Sequence, residues 1–237
     1  GRVIFRAVCA GCHGPDGKAD TEAARLFFPP PRNLVRGEVR FRSTTDDSLP
    51  LRSDLLRTLY SGLPGTAMPA WGQQLSTDQL LALVVYLETL SPRFREAPPE
   101  PDEIIVDATR VHPPALTPEL LAHGKEVYLA QKCSECHGNV GRGDGPAAPT
   151  LRNTDGTRAH VFDFTYGVYK GGNRPRDVYR TFLTGLDGTP MPSYKDTLTD
   201  ERDRWALVYY CLSLSRPRGL WFYLSERPGW QDPAMAE

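Results

Sequence analysis

The chain contains the same five-residue motif twice, once near its beginning and once past its midpoint. Both copies follow the pattern C-x-x-C-H and are followed directly by glycine; they are Cys9-Ala-Gly-Cys12-His13 and Cys133-Ser-Glu-Cys136-His137. Two thiols three positions apart lie on the same face of a helix, and the imidazole comes directly after them. Each half of the chain is therefore expected to fold around one group that engages all three side chains.

The motif is the attachment pattern of a c-type haem. The two thiols form thioethers to one porphyrin edge, and the adjacent imidazole is the proximal ligand of the iron. Paired cysteines also hold structural zinc, but usually within one small module, and a thioredoxin-like pair needs a βαβ context that is missing here. We expect two covalent haems, with metal clips lacking haem as the alternative. The predicted attachment residues are Cys9, Cys12, His13, Cys133, Cys136 and His137.

A second repeat follows each haem motif. Arg57-Thr-Leu-Tyr-Ser-Gly-Leu-Pro-Gly-Thr-Ala-Met68-Pro69 aligns without gaps to Arg180-Thr-Phe-Leu-Thr-Gly-Leu-Asp-Gly-Thr-Pro-Met191-Pro192, and eight of the 13 positions are identical. The separation from haem-motif His to Met is 55 residues in the first half and 54 in the second. A thioether is the usual sixth ligand of a high-potential cytochrome, which makes Met68 and Met191 the predicted distal ligands. The alternatives are core packing for both and, at the second iron, ligation by His160.

Three further interpretations concern the surroundings of the haems. Arg57 and Arg180 occupy equivalent positions before the Met loops, and a guanidinium fork pairs well with carboxylates. We expect them to bind haem propionates, with an ordinary helix-surface role as the alternative. A carbonyl of 29–31, a Pro-Pro-Pro run, is predicted to accept the His13 ring N–H, unless the run only stiffens the loop. Cys211, outside both motifs, is expected to be a buried apolar thiol.

Helical patterns surround both motifs and divide the chain into domains. Ser53, Ser76, Thr117 and Thr199 are predicted N-caps, and Phe5 with Tyr86 and Tyr128 with Tyr210 are expected to pair where first and last helices cross. An acidic, Pro-rich stretch separates the halves and indicates an extended connector. The predicted domains are 1–97, a linker at 98–118, and 119–237, which includes an aromatic tail from Trp221 onwards.

Both halves resemble class I c-type cytochrome domains, in the order N-terminal helix, C-x-x-C-H, wrapping loop, Met-Pro loop and C-terminal helix. The whole chain resembles the two-domain bacterial dihaem cytochromes c. A less specific similarity, from Phe162 to Tyr194, is to haem subunits of periplasmic oxidoreductases. The resemblance implies an all-α fold of two tandem domains, His/Met ligation at both irons and one-electron transfer without catalysis.

Three other readings remain at this point. A dihaem peroxidase-like enzyme needs one iron that exchanges its distal ligand, against which two matched Met-Pro loops argue. A haem sensor needs an output domain, and nothing resembling one is present. A fixed subunit of a larger oxidoreductase complex differs from a free carrier only in its partners, which in either case are a redox donor and acceptor.

Charge and hydropathy limit the remaining possibilities. The formal net charge of −1 over 237 residues argues against a nucleic-acid partner, and no apolar run reaches the length of a membrane span. The resemblance implies haem attachment outside the cytoplasm. We therefore expect a periplasmic protein whose signal peptide is absent from this sequence, with membrane contact only indirect or through a lost anchor.

Overall fold

A computed structural model describes residues 1–98, 106 and 111–215. These residues form two compact units that divide between positions 105 and 106. Most of the predicted linker and the whole aromatic tail lie outside the described residues, so the domain boundaries at 97 and 118 stay predictions. Within the described ranges there is no β-strand, only a lone bridge between Arg152 and Arg158. The predicted all-α class is confirmed.

The described residues of the first unit form six α-helices. They are α1 (Arg2–Ile4), α2 (Ala10–His13), α3 (Glu22–Leu26), α4 (Arg52–Ser61), α5 (Thr77–Leu90) and α6 (Arg93–Glu96). A π-helical turn, Phe5–Cys9, joins α1 to α2, and a 3-10 helix spans Leu34–Arg36. Their core is one buried cluster on α4, α5 and the first helical segment, made of Phe5, Leu55, Leu59, Leu80, Leu83 and Val84.

The second unit follows a similar order, without a described α-helix equivalent to α3 or α6. Its α-helices are α7 (Pro118–Ala130), α8 (Cys133–His137), α9 (Pro175–Thr184) and α10 (Glu201–Ser213), with 3-10 helices at Ala148–Thr150 and Phe164–Tyr166. Helix α10 is buried along most of its length, from Trp205 to Leu212. None of the helices described has the length and apolarity needed to cross a membrane.

In each unit the first helix crosses a long later helix, α5 or α10, at a glycine. A Cβ atom on Gly1 would lie 2.1 Å from the carbonyl oxygen of Ala82, and one on Gly124 would lie 2.0 Å from that of Ala206. Only glycine permits so close a crossing. The predicted aromatic pairs are confirmed at the same crossings, with ring centroids 5.2 Å apart for Phe5–Tyr86 and for Tyr128–Tyr210.

The two units reach their haem motifs differently, because the second has one more residue between its crossing glycine and its first cysteine. The first unit runs through the π-helical turn into α2. In the second, α7 ends at Ala130, Lys132 takes a left-handed conformation with φ +57°, and α8 begins afresh at Cys133. The break accommodates the extra residue. Each motif therefore still ends a short α-helix at its histidine, directly before a glycine with positive φ.

Two predicted caps hold and two are wrong. Ser76 and Gln79 form the expected capping box, and the Thr117 hydroxyl accepts from the N–H of Leu120. Helix α4 begins at Arg52 instead of after Ser53, because the Asp54 carboxylate accepts from the N–H of Leu51. Helix α10 is capped by Asp200, not Thr199. At α10 the Asp200 carboxylate accepts from the N–H of Arg202, a donor within reach of a Thr199 cap; at α4 the Asp54 carboxylate lies inside the first turn and reaches back to the residue before the helix.

Candidate functional site

The four motif cysteines are partly buried at the ends of the first helical segments. Burial is the main reason why the pKa of Cys9 and that of Cys133 each rise to about 11, and it also raises the pKa of Cys136. At neutral pH these groups are protonated thiols.

Each motif histidine is fixed by a backbone carbonyl. His13 Nδ1 lies 3.0 Å from the carbonyl oxygen of Arg32, and His137 Nδ1 lies 3.1 Å from that of Phe162. A carbonyl only accepts, so Nδ1 carries the proton in both rings and Nε2 carries the lone pair. Burial lowers the pKa of both imidazoles. Both rings are thus neutral, oriented and able to ligate a metal through Nε2.

The acceptor predicted for His13 was one of the three prolines at 29–31, and this is wrong. The carbonyl belongs to Arg32, directly after the run. The second unit has no proline at the equivalent position and uses Phe162. The course of the wrapping loop therefore places the acceptor carbonyl, whichever residue carries it. The prolines stiffen the segment of the loop that precedes Arg32.

The two Met loops share one hydrogen-bonding scheme. In the first, the N–H of Leu63 donates to the carbonyl of Met68 at 3.1 Å, and the N–H of Met68 donates to the Thr66 hydroxyl at 3.1 Å. In the second, the N–H of Leu186 donates to the carbonyl of Met191 at 3.1 Å, and the N–H of Met191 to the Thr189 hydroxyl at 3.2 Å. The conformation that places each methionine is the same.

Glycines at the ends of α4 and α9 allow these loops to fold back. Gly62 has φ +64°, and a Cβ there would lie 2.6 Å from the backbone nitrogen of Ala70. Gly185 has φ +67°, and a Cβ there would lie 2.7 Å from that of Ser193. Both the backbone conformation and the close approach exclude a side chain.

Each Met loop shares packing with the haem motif of its own unit. Met68 and Cys9 both pack against the buried core cluster of the first unit. In the second unit, Tyr194 follows the Met loop, and its hydroxyl lies beside the Cys133 thiol. Burial, together with the neighbouring cysteines, raises the pKa of Tyr194 to about 12. His160, the rival ligand, is exposed.

Arg57 and Arg180 each join a helix to the preceding loop. Arg57 donates to Asp54 Oδ1 at 2.9 Å and to the carbonyl of residue 41 at 3.2 Å. Arg180 donates to Asp177 Oδ1 at 2.8 Å and to the carbonyl of residue 171 at 3.3 Å. These two aspartates were not predicted, although each stands three residues before the arginine of its own repeat. The propionate role of the arginines stays a prediction.

One neighbour of the second histidine was also missed. The ring of Phe164 stacks on the His137 imidazole, with centroids 4.4 Å apart and planes inclined by 19°. The aromatic run from Phe162 to Tyr169 was the available signal, but it falls in a stretch where the two halves share little sequence. Taken together, the paired thiols, neutral imidazoles and matched methionine loops fit a covalently attached haem in each unit.

Comparison with known proteins gives matches in both units. The family model for cytochrome c matches residues 121–215, and that for subunit III of cbb3-type cytochrome c oxidase matches residues 1–87. A solved chain of the Kuenenia stuttgartiensis reducing HAO-like protein complex is 39% identical with a TM-score of 0.83, and the match covers 91% of this chain and 95% of that one.

Two curated relatives are subunits of cbb3-type cytochrome c oxidases. CcoP of Azospirillum sp. is 25% identical over 227 residues, which is 88% of this chain and 60% of the relative. FixP of Azorhizobium caulinodans is 34% identical over 90 residues, which is 38% of this chain and 26% of the relative. The chain thus spans about three-fifths of one relative and a quarter of the other.

The repeated site and these similarities define a tandem c-type cytochrome. The chain belongs to the cytochrome c family: it has two cytochrome c domains and two covalently attached c-type haems. It is a haem- and iron-binding electron-transfer protein, and the predicted cofactors are confirmed.

Proposed function

We propose that the chain is a one-electron carrier in which both irons are six-coordinate, with His13 and Met68 at one and His137 and Met191 at the other. The observation that carries the proposal is the shared hydrogen-bonding scheme of the two Met loops. A methionine that merely filled a core would not require the same turn, the same threonine and the same glycine approach in both units.

The residues of the chain hold the haem environment in one geometry. When bound, each haem supplies a one-electron iron couple. The Nδ1 hydrogen bonds to Arg32 and Phe162 orient the imidazoles, and burial keeps them neutral. With Met68 and Met191 as ligands, the Met loops would leave neither iron a free position for another ligand. Such a site changes little between oxidation states, which suits electron transfer rather than substrate binding.

A spectro-potentiometric titration with carbon monoxide and peroxide tests this proposal. The wild-type protein should show two high-potential, low-spin waves and bind neither ligand. Met191→Leu should open the second iron to carbon monoxide without changing the first, and Met68→Leu should do the reverse. One wild-type haem that binds carbon monoxide readily would favour the peroxidase-like enzyme instead.

We also propose that the protein acts outside the cytoplasm as an electron-transfer subunit of a larger oxidoreductase complex. The names of the relatives support this, since each is part of an oxidase or of an HAO-like complex. Gentle purification of the tagged protein from its native cell tests it. A free carrier would elute alone, whereas a subunit would bring stoichiometric redox partners with it.

A further inference from the structure

An aromatic column supports the proximal histidine of the second unit. It consists of Phe162, Phe164 and Tyr169, whose ring centroids lie between 5.1 and 5.8 Å from one another. Phe164 covers one face of the His137 imidazole at 4.4 Å, while the carbonyl of Phe162 accepts from its Nδ1 at 3.1 Å. The ring is therefore held both at its edge and on its face.

The column is anchored to the last helix. The planes of Phe164 and Tyr169 are inclined by only 18°, so the two rings continue the stack that begins at His137. The Tyr169 hydroxyl donates to the carbonyl of Cys211 on α10 at 2.8 Å, and both residues are buried. Rotation of the imidazole would therefore disturb packing that reaches as far as α10.

The first unit has the same backbone without the column. Leu34 and Phe164 each begin a 3-10 helix, and each donates its backbone N–H at 2.7 Å to an equivalent loop glycine, Gly17 or Gly141. When the two units are aligned at Leu34 and Phe164, the positions of the three aromatic residues are occupied in the first unit by Arg32, Leu34 and Val39. The Nδ1 acceptor is retained, but the position of the stacked ring holds an aliphatic side chain.

This difference has a definite electrostatic consequence. The face of an aromatic ring is electron-rich and attracts positive charge. An imidazole bound to ferric iron carries more positive charge than one bound to ferrous iron, so a stacked ring stabilises the oxidised state. Leucine gives comparable apolar cover without this attraction. The exchange of leucine for phenylalanine therefore isolates the contribution of the ring.

We propose that Phe164 is a positioning residue that makes the two haems inequivalent: it fixes the plane of the His137 imidazole and lowers the reduction potential of the second haem. The inference rests on the proposed function, in that His137 is taken as an iron ligand. It distinguishes two domains that the repeated motifs would otherwise make alike.

Reciprocal variants of the full-length holoprotein test the proposal. In a spectro-potentiometric titration, Phe164→Leu should raise the midpoint of one wave and leave the other in place. Leu34→Phe should lower the midpoint of the other wave. Phe164→Tyr keeps the stacked ring and should return the second wave towards its wild-type position. Haem content and the low-spin spectrum of each variant report whether the fold is retained.

The outcomes separate this inference from the proposed function. If wild-type protein shows low-spin His/Met spectra but neither Phe164→Leu nor Leu34→Phe moves a wave, the inference alone fails. A fall in potential for Phe164→Leu would also overturn it. If Phe164→Leu lost its haem, Leu34→Phe would still decide, because the ring is then added and not removed. Wild-type spectra without His/Met signatures would instead refute the proposed function.

Discussion

The backbone N–H of Leu186 donates to the carbonyl of Met191 at 3.1 Å, and so closes the loop that carries the predicted distal ligand of the second haem. Leu63 and Met68 form the same bond over the same distance in the first unit. The two loops close in the same way although they differ at two of the six positions from leucine to methionine.

Gly185→Ala should displace the second Met loop. The substitution puts a residue with a side chain at φ +67° and ψ −172°, a conformation that costs about 1–3 kcal/mol, and adds a Cβ that would lie 2.7 Å from the backbone nitrogen of Ser193. We expect carbon monoxide to bind the second haem of this variant. Gly156→Ala is the comparison variant, because its φ is also positive, at +80°, but nothing lies within 4 Å of the added atom. Equal carbon monoxide binding by both variants would contradict the account.

Asp54→Ala should destabilise the first unit by about 3–5 kcal/mol. The carboxylate is fully buried and accepts from the backbone and hydroxyl of Ser43, from Leu51 and from Arg57. Its loss removes the carboxylate partner of a largely buried guanidinium. Urea denaturation of the holoprotein measures the effect on the transition of the first unit.

An exposed ion pair supplies the comparison for Asp54. Glu88 pairs with Arg52, whose side chain is 68% exposed, so Glu88→Ala should cost no more than about 1 kcal/mol. If the two variants proved equally stable, the buried network would not hold the loop before α4 as described.

The sequence predicts some features of the haem sites and misses others. The repeated motifs predict the haem count, the helix order and the aromatic crossing pairs, because these depend on residue type and spacing. They do not predict that Arg32 holds His13, nor that Phe164 covers His137. These contacts depend on the path of loops whose two copies share little sequence, and only the packed structure brings them to the imidazoles.

Helix starts illustrate the same limit on a smaller scale. Ser53 and Thr199 have the residue type of an N-cap, but α4 already begins at Arg52, with Asp54 accepting from the N–H of Leu51, and at α10 Asp200 accepts from the N–H of Arg202. Where two capping residues are adjacent, side-chain reach and tertiary contacts decide between them. The partnership of Asp54 with Arg57 shows this, since it also fixes the orientation of the carboxylate.

The thiol content tests the covalent attachment. If Cys9, Cys12, Cys133 and Cys136 are all thioethers, Cys211 is the one titratable thiol of the holoprotein. It is buried, and burial raises its pKa well above the ordinary value, so a thiol reagent should find none in native protein and one per chain in denaturant. Detection of five thiols after unfolding would contradict covalent attachment, and three would place it at one haem only.

The contact between α7 and α10 should depend on pH. His123 Nε2 lies 2.5 Å from Asp203 Oδ1, and this hydrogen bond is the main reason why the pKa of His123 is raised above 6.5. A raised pKa stabilises the fold fully below the unfolded pKa, and the contribution is lost as pH rises through the folded pKa. The difference in Tm between wild type and His123→Gln should therefore be largest in mild acid and vanish at alkaline pH.

The matched control for His123 is His112→Gln, which removes an exposed histidine that precedes α7. A Tm difference for His123→Gln that grew towards alkaline pH would show that the aspartate does not stabilise the charged imidazole.

Proton NMR of the fully reduced holoprotein tests the central claim most directly, because the methyl group of a methionine bound to low-spin ferrous haem is shifted strongly upfield by the ring current. Ligation by Met68 and Met191 predicts two such methyl signals, of which Met68→Leu removes one and Met191→Leu removes the other. A single upfield methyl signal in the wild-type protein, or a signal that survives both substitutions, would contradict His/Met ligation at both irons.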